Sequence, residues 1–426
     1  MNVSRIWCSL LLGGVTFTLS ACFASDAPPA ARKLGRVTVE GNRLMLEGKE
    51  YRAIGVNLPH LASGYNGSWG SCRQIYGTPE KMRAAVVEGI RDAGSNKMAF
   101  IRFFAMPGRP TEKAKLYDVD KAEYWRQMDA VLNLCREQGI RVIPILGVNR
   151  WVGYPELYKE LATATTDPNS RQYKDIWTYI EEFVTRYKDD PVILMWSLSN
   201  EAFLRVDQEK ENPNPKDVFT FDVMLDLYKH STARIKKLAP NAIVTSGDNG
   251  VRRESACRRG PVAEALKTNK WPPKYALRQD TLKEHLANLL ESQQSVDVAS
   301  IHAYVKRAGE GDWYYMQEKI GTIAYNGERV RAFRAAGKPV LVGELGQVDP
   351  YFRDDPTGQA GLSLIDLLEK EGASLIGLWS WHFRWQDRDY RKTSDGNDLN
   401  WNIPSGASVP VLMERVAAFN RKYAGK

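Results

Sequence analysis

Eight short runs rich in β-branched and aromatic residues, each followed by a stretch of helical periodicity, repeat along almost the whole 426-residue chain. The runs are 51–57, 98–104, 141–146, 192–199, 242–246, 296–302, 339–344 and 374–381. Amphipathic helices are expected at 79–93, 121–138, 172–187, 219–238, 282–290, 327–336, 358–371 and 409–423. Thr78 would cap the first with Pro79 in its opening turn, and Gly139 would close the second. Such alternation is the pattern of repeated βα units on a parallel sheet. Eight units, with no Gly-rich dinucleotide turn, favour an α/β fold of the closed (β/α)8 barrel type over an open doubly wound sheet.

Residues 36–50 alternate apolar and polar around Gly41-Asn42, which predicts an N-terminal β-hairpin placed to plug the bottom of the barrel. Residues 1–24 have the layout of an export signal: Arg5, an apolar stretch from Ile6 to Phe17, then small residues. Within it Leu19-Ser20-Ala21-Cys22 resembles the bacterial lipobox, which implies a lipid-anchored outer-membrane or surface lipoprotein. Cleavage after Ala24, giving a periplasmic or secreted protein, competes with it. Residues 25–35 then read as a tether and 36–426 as one catalytic domain with long βα loops. A monomer is expected, touching the membrane only through that anchor.

Of five cysteines, Cys8 and Cys22 belong to the signal, which leaves too few for a disulfide scaffold. Cys135 falls on an apolar helical face and reads as core, whereas Cys72 and Cys257 fall in loops and could pair. The net charge of +8 comes from dispersed residues without a nucleic-acid motif. Arg252, Arg253, Arg258 and Arg259 are the local exception, and they keep acidic polysaccharides open as ligands.

The last residues of the runs carry the chemistry: Arg102, Asn200-Glu201, His302 with Tyr304, Glu344, and Trp379 with Trp381. Barrel loops at the C-terminal ends of the strands converge on one bowl. Glu201 and Glu344 each end a strongly apolar run, an expensive place for a carboxylate unless it is used. A glycosidase needs two such groups, one protonating the leaving oxygen and one attacking the anomeric carbon. A carboxylate beside a guanidinium and a phenol stays ionised, while one in a more apolar setting keeps its proton. A metal-dependent hydrolase would need several strand-end histidines, and only His302 stands at such a place; no cofactor or metal is expected.

The segments Trp196-Ser197-Leu198-Ser199-Asn200-Glu201, Ile301-His302-Ala303-Tyr304 and Val342-Gly343-Glu344-Leu345-Gly346 resemble the signature strands of glycoside hydrolase family 5. That resemblance implies a retaining β-glycosidase with Glu201 as acid/base and Glu344 as nucleophile. It further implies that Asn200 donates to the substrate 2-hydroxyl, Arg102 and Tyr304 hold the nucleophile, and His302 sits beside the acid/base. Trp379 or Trp381 would floor the cleavage subsite by stacking on a sugar face, with Trp151, Trp313, Trp69 and Trp385 available for further units.

Asn149-Arg150-Trp151, the Asp190-Pro191-Val192-Ile193 run and the stretch from His302 to Trp313 resemble the β-mannanases of that family. β-1,4-Mannan or glucomannan is therefore the first expected substrate and β-glucan the second. Ala202, where the family often has proline, and Asn149-Arg150, where many members have histidine, depart from the pattern. The insertion from Ser246 to Asp280 could narrow the cleft toward exo action or favour transglycosylation. A glycan-binding surface lipoprotein without turnover is the non-enzymatic alternative.

Overall fold

A computed structural model of the protein describes residues 34–66, 78–106, 116–148, 165–207, 218–268, 270, 278–306, 314–348, 359–381 and 408–426. The export signal, the lipobox and Cys72 lie outside them. The eight expected runs form the strands β1 (Ala53–Asn57), β2 (Phe100–Phe104), β3 (Arg141–Ile145), β4 (Trp196–Ser197), β5 (Val244–Thr245), β6 (Ala299–Lys306), β7 (Val340–Val348) and β8 (Leu375–Leu378). All neighbours are parallel, in the order β5-β4-β3-β2-β1-β8-β7-β6. A parallel bridge between Thr245 and Val298 closes the ring.

Strands β6 and β7 run further than expected because they pair with each other to Lys306 and Val348. The register slips by one residue at Gly343, so that Val342 faces Ile301 while Glu344 faces His302. Side chains of a regular strand alternate faces, and one inserted residue breaks that alternation. The bulge thereby lets Val342 share the outward core face of Ile301 and turns Glu344 onto the inward face of His302.

Helices α1 (Pro79–Ser95), α2 (Lys121–Glu137), α3 (Arg171–Tyr187), α4 (Phe221–Leu238), α5 (Leu282–Ser292), α6 (Thr322–Ala335), α7 (Gln359–Lys370) and α8 (Ser408–Tyr423) follow the strands in turn. Thr78, Asp120, Ser170, Thr220 and Thr281 cap five of them by accepting from the N3 amide, which satisfies an otherwise orphan donor. Helix α6 starts five residues earlier than expected, since Gly327 packs inside it against Leu367 instead of opening it. Buried Asn420 of α8 exchanges hydrogen bonds of 2.8 and 2.9 Å with the Ile54 backbone, fastening the last helix to β1. Among the described residues no helix is long and apolar enough to cross a membrane.

The expected hairpin is a three-stranded meander: Val37–Glu40 pairs with Arg43–Leu46, which pairs with Lys49–Glu50. Glu47 and Gly48 both have positive φ, as a tight two-residue hairpin turn of type I′ requires. Val37 and Leu44 of the meander pack with Ala53, Phe100, Ile143, Leu194, Ile243, Val298, Leu341 and Leu375, residues from the base of all eight strands. The meander is the barrel's floor, and each such side chain buried is worth roughly 1.5–3 kcal/mol.

The insertion after β5 contains a helix, Ser255–Thr268, that periodicity did not announce, with Pro261 inside it. Its first turn is capped from a distance: Asp280 accepts from the amides of Ala256 and Cys257. Arg258 and Arg259 are spent on structure, pairing with Glu254 and with Asp222 and Glu291. Cys257 carries a free thiol, pushed up to about 11 by burial and Asp280. Cys135 is buried in the core as expected.

Candidate active site

The strand ends gather five polar side chains around one buried carboxylate. Arg102, fully buried at the inner face of β2, directs Nη1 to Glu344 Oε1 at 3.2 Å and to Asn57 Oδ1 at 3.0 Å. Its Nη2 donates to Asn200 Oδ1 at 2.7 Å and to the Gly247 carbonyl at 3.3 Å. Asn57 in turn donates to the Gly343 carbonyl at 2.8 Å, gripping the bulge that orients Glu344. The Tyr304 hydroxyl donates to Glu344 Oε2 at 2.5 Å.

Burial alone would push the Glu344 carboxyl up, yet His302, Arg102 and Tyr304 outweigh it and hold it down at about 2. Burial and the adjacent Glu344 charge raise the Tyr304 phenol well above its ordinary value, so it remains a donor. Burial would lower His302, but the charges of Glu344 and Glu201 prevail and raise it. Its Nδ1 lies 2.9 Å from Glu201 Oε1 and 3.2 Å from Glu344 Oε2. The facing atoms of Glu201, His302 and Glu344 all lie within 4.8 Å of one another, the one such cluster of potential metal-ligand atoms among the described residues.

Glu201 sits in the left-handed region with φ of 52° and opens a short 3-10 turn, Ala202–Arg205. A non-glycine residue there is held by its surroundings at some conformational cost. Gly247 lies directly beneath: a Cβ at this position would stand 2.0 Å from the Ser199 carbonyl, and its φ of +77° also demands glycine. Asp248, fully buried, accepts from the Phe203 amide at 3.1 Å and from the Tyr228 hydroxyl at 2.5 Å. Burial pushes its carboxyl up to about 6 against those hydrogen bonds. The turn carrying Glu201 is thus pinned by the loop that follows β5.

Asn200, Glu201, Arg102, His302, Tyr304 and Glu344 converge as expected. Trp379 at the end of β8 is half-buried, whereas Trp381 is 3% exposed and belongs to the core, so of the two Trp379 is the one left for stacking. Asn149, Trp151, Trp313, Trp69 and Trp385 lie outside the described residues. Asn57, Asp248 and Arg329 escaped the sequence reading. Asn57 stands as a polar residue ending the apolar β1 run, the same signal that marked Arg102.

The sequence matches the family model described as Cellulase (glycosyl hydrolase family 5) over residues 57–384, most of the chain. The protein belongs to glycosyl hydrolase family 5. Among its relatives, mannan endo-1,4-beta-mannosidase F of Aspergillus clavatus is 24% identical over 292 residues, 66% of this chain and 53% of that protein. The chain thus spans about half the length of that relative. The probable mannan endo-1,4-beta-mannosidase C of Aspergillus terreus is 22% identical over 429 residues, 91% of this chain and 94% of that protein. The fold of this family 5 chain is shared with the endo-1,4-beta-mannanase of Rhizomucor miehei, at a TM-score of 0.55 and 15% identity over 91% of this chain and 100% of that one. It is shared too with an exo-beta-1,4-mannosidase of Opitutaceae bacterium strain TAV5, at 0.59 and 18% over 91% and 63%.

Proposed function

We propose that the protein is a retaining β-glycosidase of the endo-β-1,4-mannanase type, with Glu344 as nucleophile and Glu201 as general acid/base. The observation that carries this reading is the pair of carboxylates with facing oxygens within 4.8 Å. Retaining enzymes keep their carboxyl groups ~5–5.5 Å apart, and inverting ones need ~6.5–9.5 Å to admit a water.

The environments divide the roles. Glu344, with a carboxyl held at about 2, is ionised at any working pH and its oxygens face the bowl. It attacks the anomeric carbon while Glu201 gives its proton to the departing oxygen, forming a glycosyl ester on Glu344. Glu201, now a carboxylate, takes a proton from water, whose oxygen attacks the same carbon and releases Glu344, so the configuration is retained. Positive charge develops on the sugar between these groups, and a fixed carboxylate beside it stabilises that state without reorganising. His302 Nδ1 and Glu201 Oε1 share a hydrogen bond of 2.9 Å that holds that carboxyl in line. Asn200, anchored through its Oδ1 by Arg102, is oriented so that its amide nitrogen is the group offered to the 2-hydroxyl.

Mannan is favoured as substrate by the names of the curated relatives, and the short segments around Asn149 and Trp313 support the same choice. The Leu19-Ser20-Ala21-Cys22 motif supports export and lipid anchoring at a cell surface, where a polysaccharide is met. Reducing-sugar release should be measured from mannan, glucomannan, β-glucan, xylan and an acidic polysaccharide, with Glu344→Ala as control. Release from mannan as a ladder of oligosaccharides, abolished in the variant, is the expected result. Mannose alone would point to exo action, longer products to transglycosylation, and silence on all five to a binding protein.

A further inference from the structure

Beside the catalytic pair opens a cavity of about 500 Å³, bounded by Glu201, His302 and Tyr304 on one side and by the segments 249–254 and 315–329 on the other. Glu344 does not line it. With Glu201 as the acid, a cavity that meets Glu201 and not Glu344 lies on the leaving-group side of the scissile bond; the inference rests on that assignment.

Its wall is more basic than a neutral sugar requires. Among the described residues, Arg252, Arg253 and Arg329 line it against a single further carboxylate, Glu254. Glu254 is already shared between Arg258 at 3.1 Å and Arg252 at 4.0 Å. Arg329 is buried and donates to the carbonyls of Asn249 and His302 at 2.7 and 2.6 Å, which makes it a clamp between the loop after β5 and strand β6. Arg253 is different. Among the described residues it has no carboxylate partner, and its guanidinium lies 4.3 Å over the Tyr315 ring.

That ring is itself built in. Tyr315 stacks on Tyr325 with centroids 4.4 Å apart and planes within 8°, and the buried Tyr325 is fixed by a 2.7 Å hydrogen bond to His285 Nε2. A guanidinium held over an aromatic face still has N–H groups to offer a ligand, and their fork matches a carboxylate in bidentate fashion. The stack restricts the long side chain before any ligand arrives, which lowers the entropy cost of binding.

We propose that this cavity is a leaving-group subsite for a sugar bearing a carboxylate, a uronosyl unit, with Arg253 as its bidentate partner and Arg252 adding to the field. The preferred glycan of this enzyme then carries uronic acid next to the bond that is cut, and the product released from this side is acidic.

The test is ligand-observed NMR titration of the full-length protein with methyl β-D-glucopyranosiduronate, methyl β-D-glucopyranoside and the 6-O-sulfate of the latter. The uronate is expected to bind roughly tenfold more tightly than the neutral glycoside, with the gap closing in high salt. Arg253→Gln should bring the two affinities together and Arg253→Lys should leave an intermediate preference. Arg259→Gln, from the same basic run but engaged by Asp222 and Glu291, should keep the full preference. Equal affinities in the wild type, an unchanged ratio in Arg253→Gln, or preference for the sulfate with none for the uronate would each overturn the assignment. Mannan hydrolysis by the same wild-type preparation reports separately on the glycosidase reading: a protein that turns over mannan but shows no preference for the uronate loses only the subsite.

Discussion

Arg102 holds Nη1 3.2 Å from Oε1 of Glu344 in a pair that is almost wholly buried. The same guanidinium meets Asn57, Asn200 and the Gly247 carbonyl, so one side chain ties together β1, β7 and the loops after β4 and β5. An ammonium group is a point charge without that fork and cannot serve four acceptors in one plane. Arg102→Lys should lower kcat/KM by roughly a hundredfold or more, in line with losing about 3 kcal/mol of organised electrostatics. Steady-state kinetics on mannan, with a circular dichroism check of the fold, measures it.

Tyr304→Phe removes the 2.5 Å hydrogen bond to Glu344 Oε2 and leaves the other two partners of the carboxylate in place. A hydrogen bond to a charged group is worth about 1.5–3 kcal/mol, or roughly ten- to a hundredfold in rate if it acts in the transition state. Because the phenol helps to hold Glu344 down at about 2, its loss lets the nucleophile protonate at higher pH. The acid limb of the kcat/KM profile should therefore move upward, while a purely structural loss would scale the profile without moving it.

Asp248 has a folded-state value of about 6 against an ordinary 3.8. A raised acid binds its proton more tightly when folded, so the contribution is fully present below about 3.8 and is lost as pH rises through about 6. Asp248→Asn keeps an oxygen for the Phe203 amide and removes the titration. Urea midpoints of the wild type should fall relative to this variant between pH 4 and pH 6; parallel curves would mean that Asp248 is not the group concerned. Asp248→Ala leaves the Phe203 amide buried without its acceptor, at about 1–3 kcal/mol, while the Tyr228 hydroxyl keeps Ser199 Oγ.

At the amino terminus, mass spectrometry of the protein made in a bacterium with a lipoprotein pathway should find acylated Cys22 as the first residue. A free Ser25 would instead mark simple cleavage of the signal.

The barrel was legible because its signals are local and repeated eight times: an apolar run, a cap, an amphipathic helix. Glu201 and Glu344 stood out for a related reason, since each is a charge at the end of a run whose other members are buried. What lay hidden depends on partners far away in the chain. Ser255–Thr268 is helical because Asp280 caps it and Asp222 and Glu291 hold Arg259, none of which a periodicity over its own residues can register. Asp248 reads as one polar residue in a loop of Gly and Asn until Phe203 and Tyr228 close on it. Trp379 and Trp381 are equivalent in sequence, and only the packing of the last strand end separates a half-buried side chain from a buried one. Arg253 looked like one of four clustered arginines; the structure distinguishes it by what its neighbours have already taken.

The central claim is that Glu344 forms a covalent bond to the sugar. Incubation with an activated 2-deoxy-2-fluoro-β-mannoside slows the second step more than the first and lets the intermediate accumulate; peptide mapping by mass spectrometry then locates it. The account predicts a single fluoromannosyl adduct on the peptide containing Glu344, absent in Glu344→Gln. An adduct on another residue would contradict the assignment, and steady turnover of the reagent with α-configured product and no adduct would contradict the retaining mechanism itself.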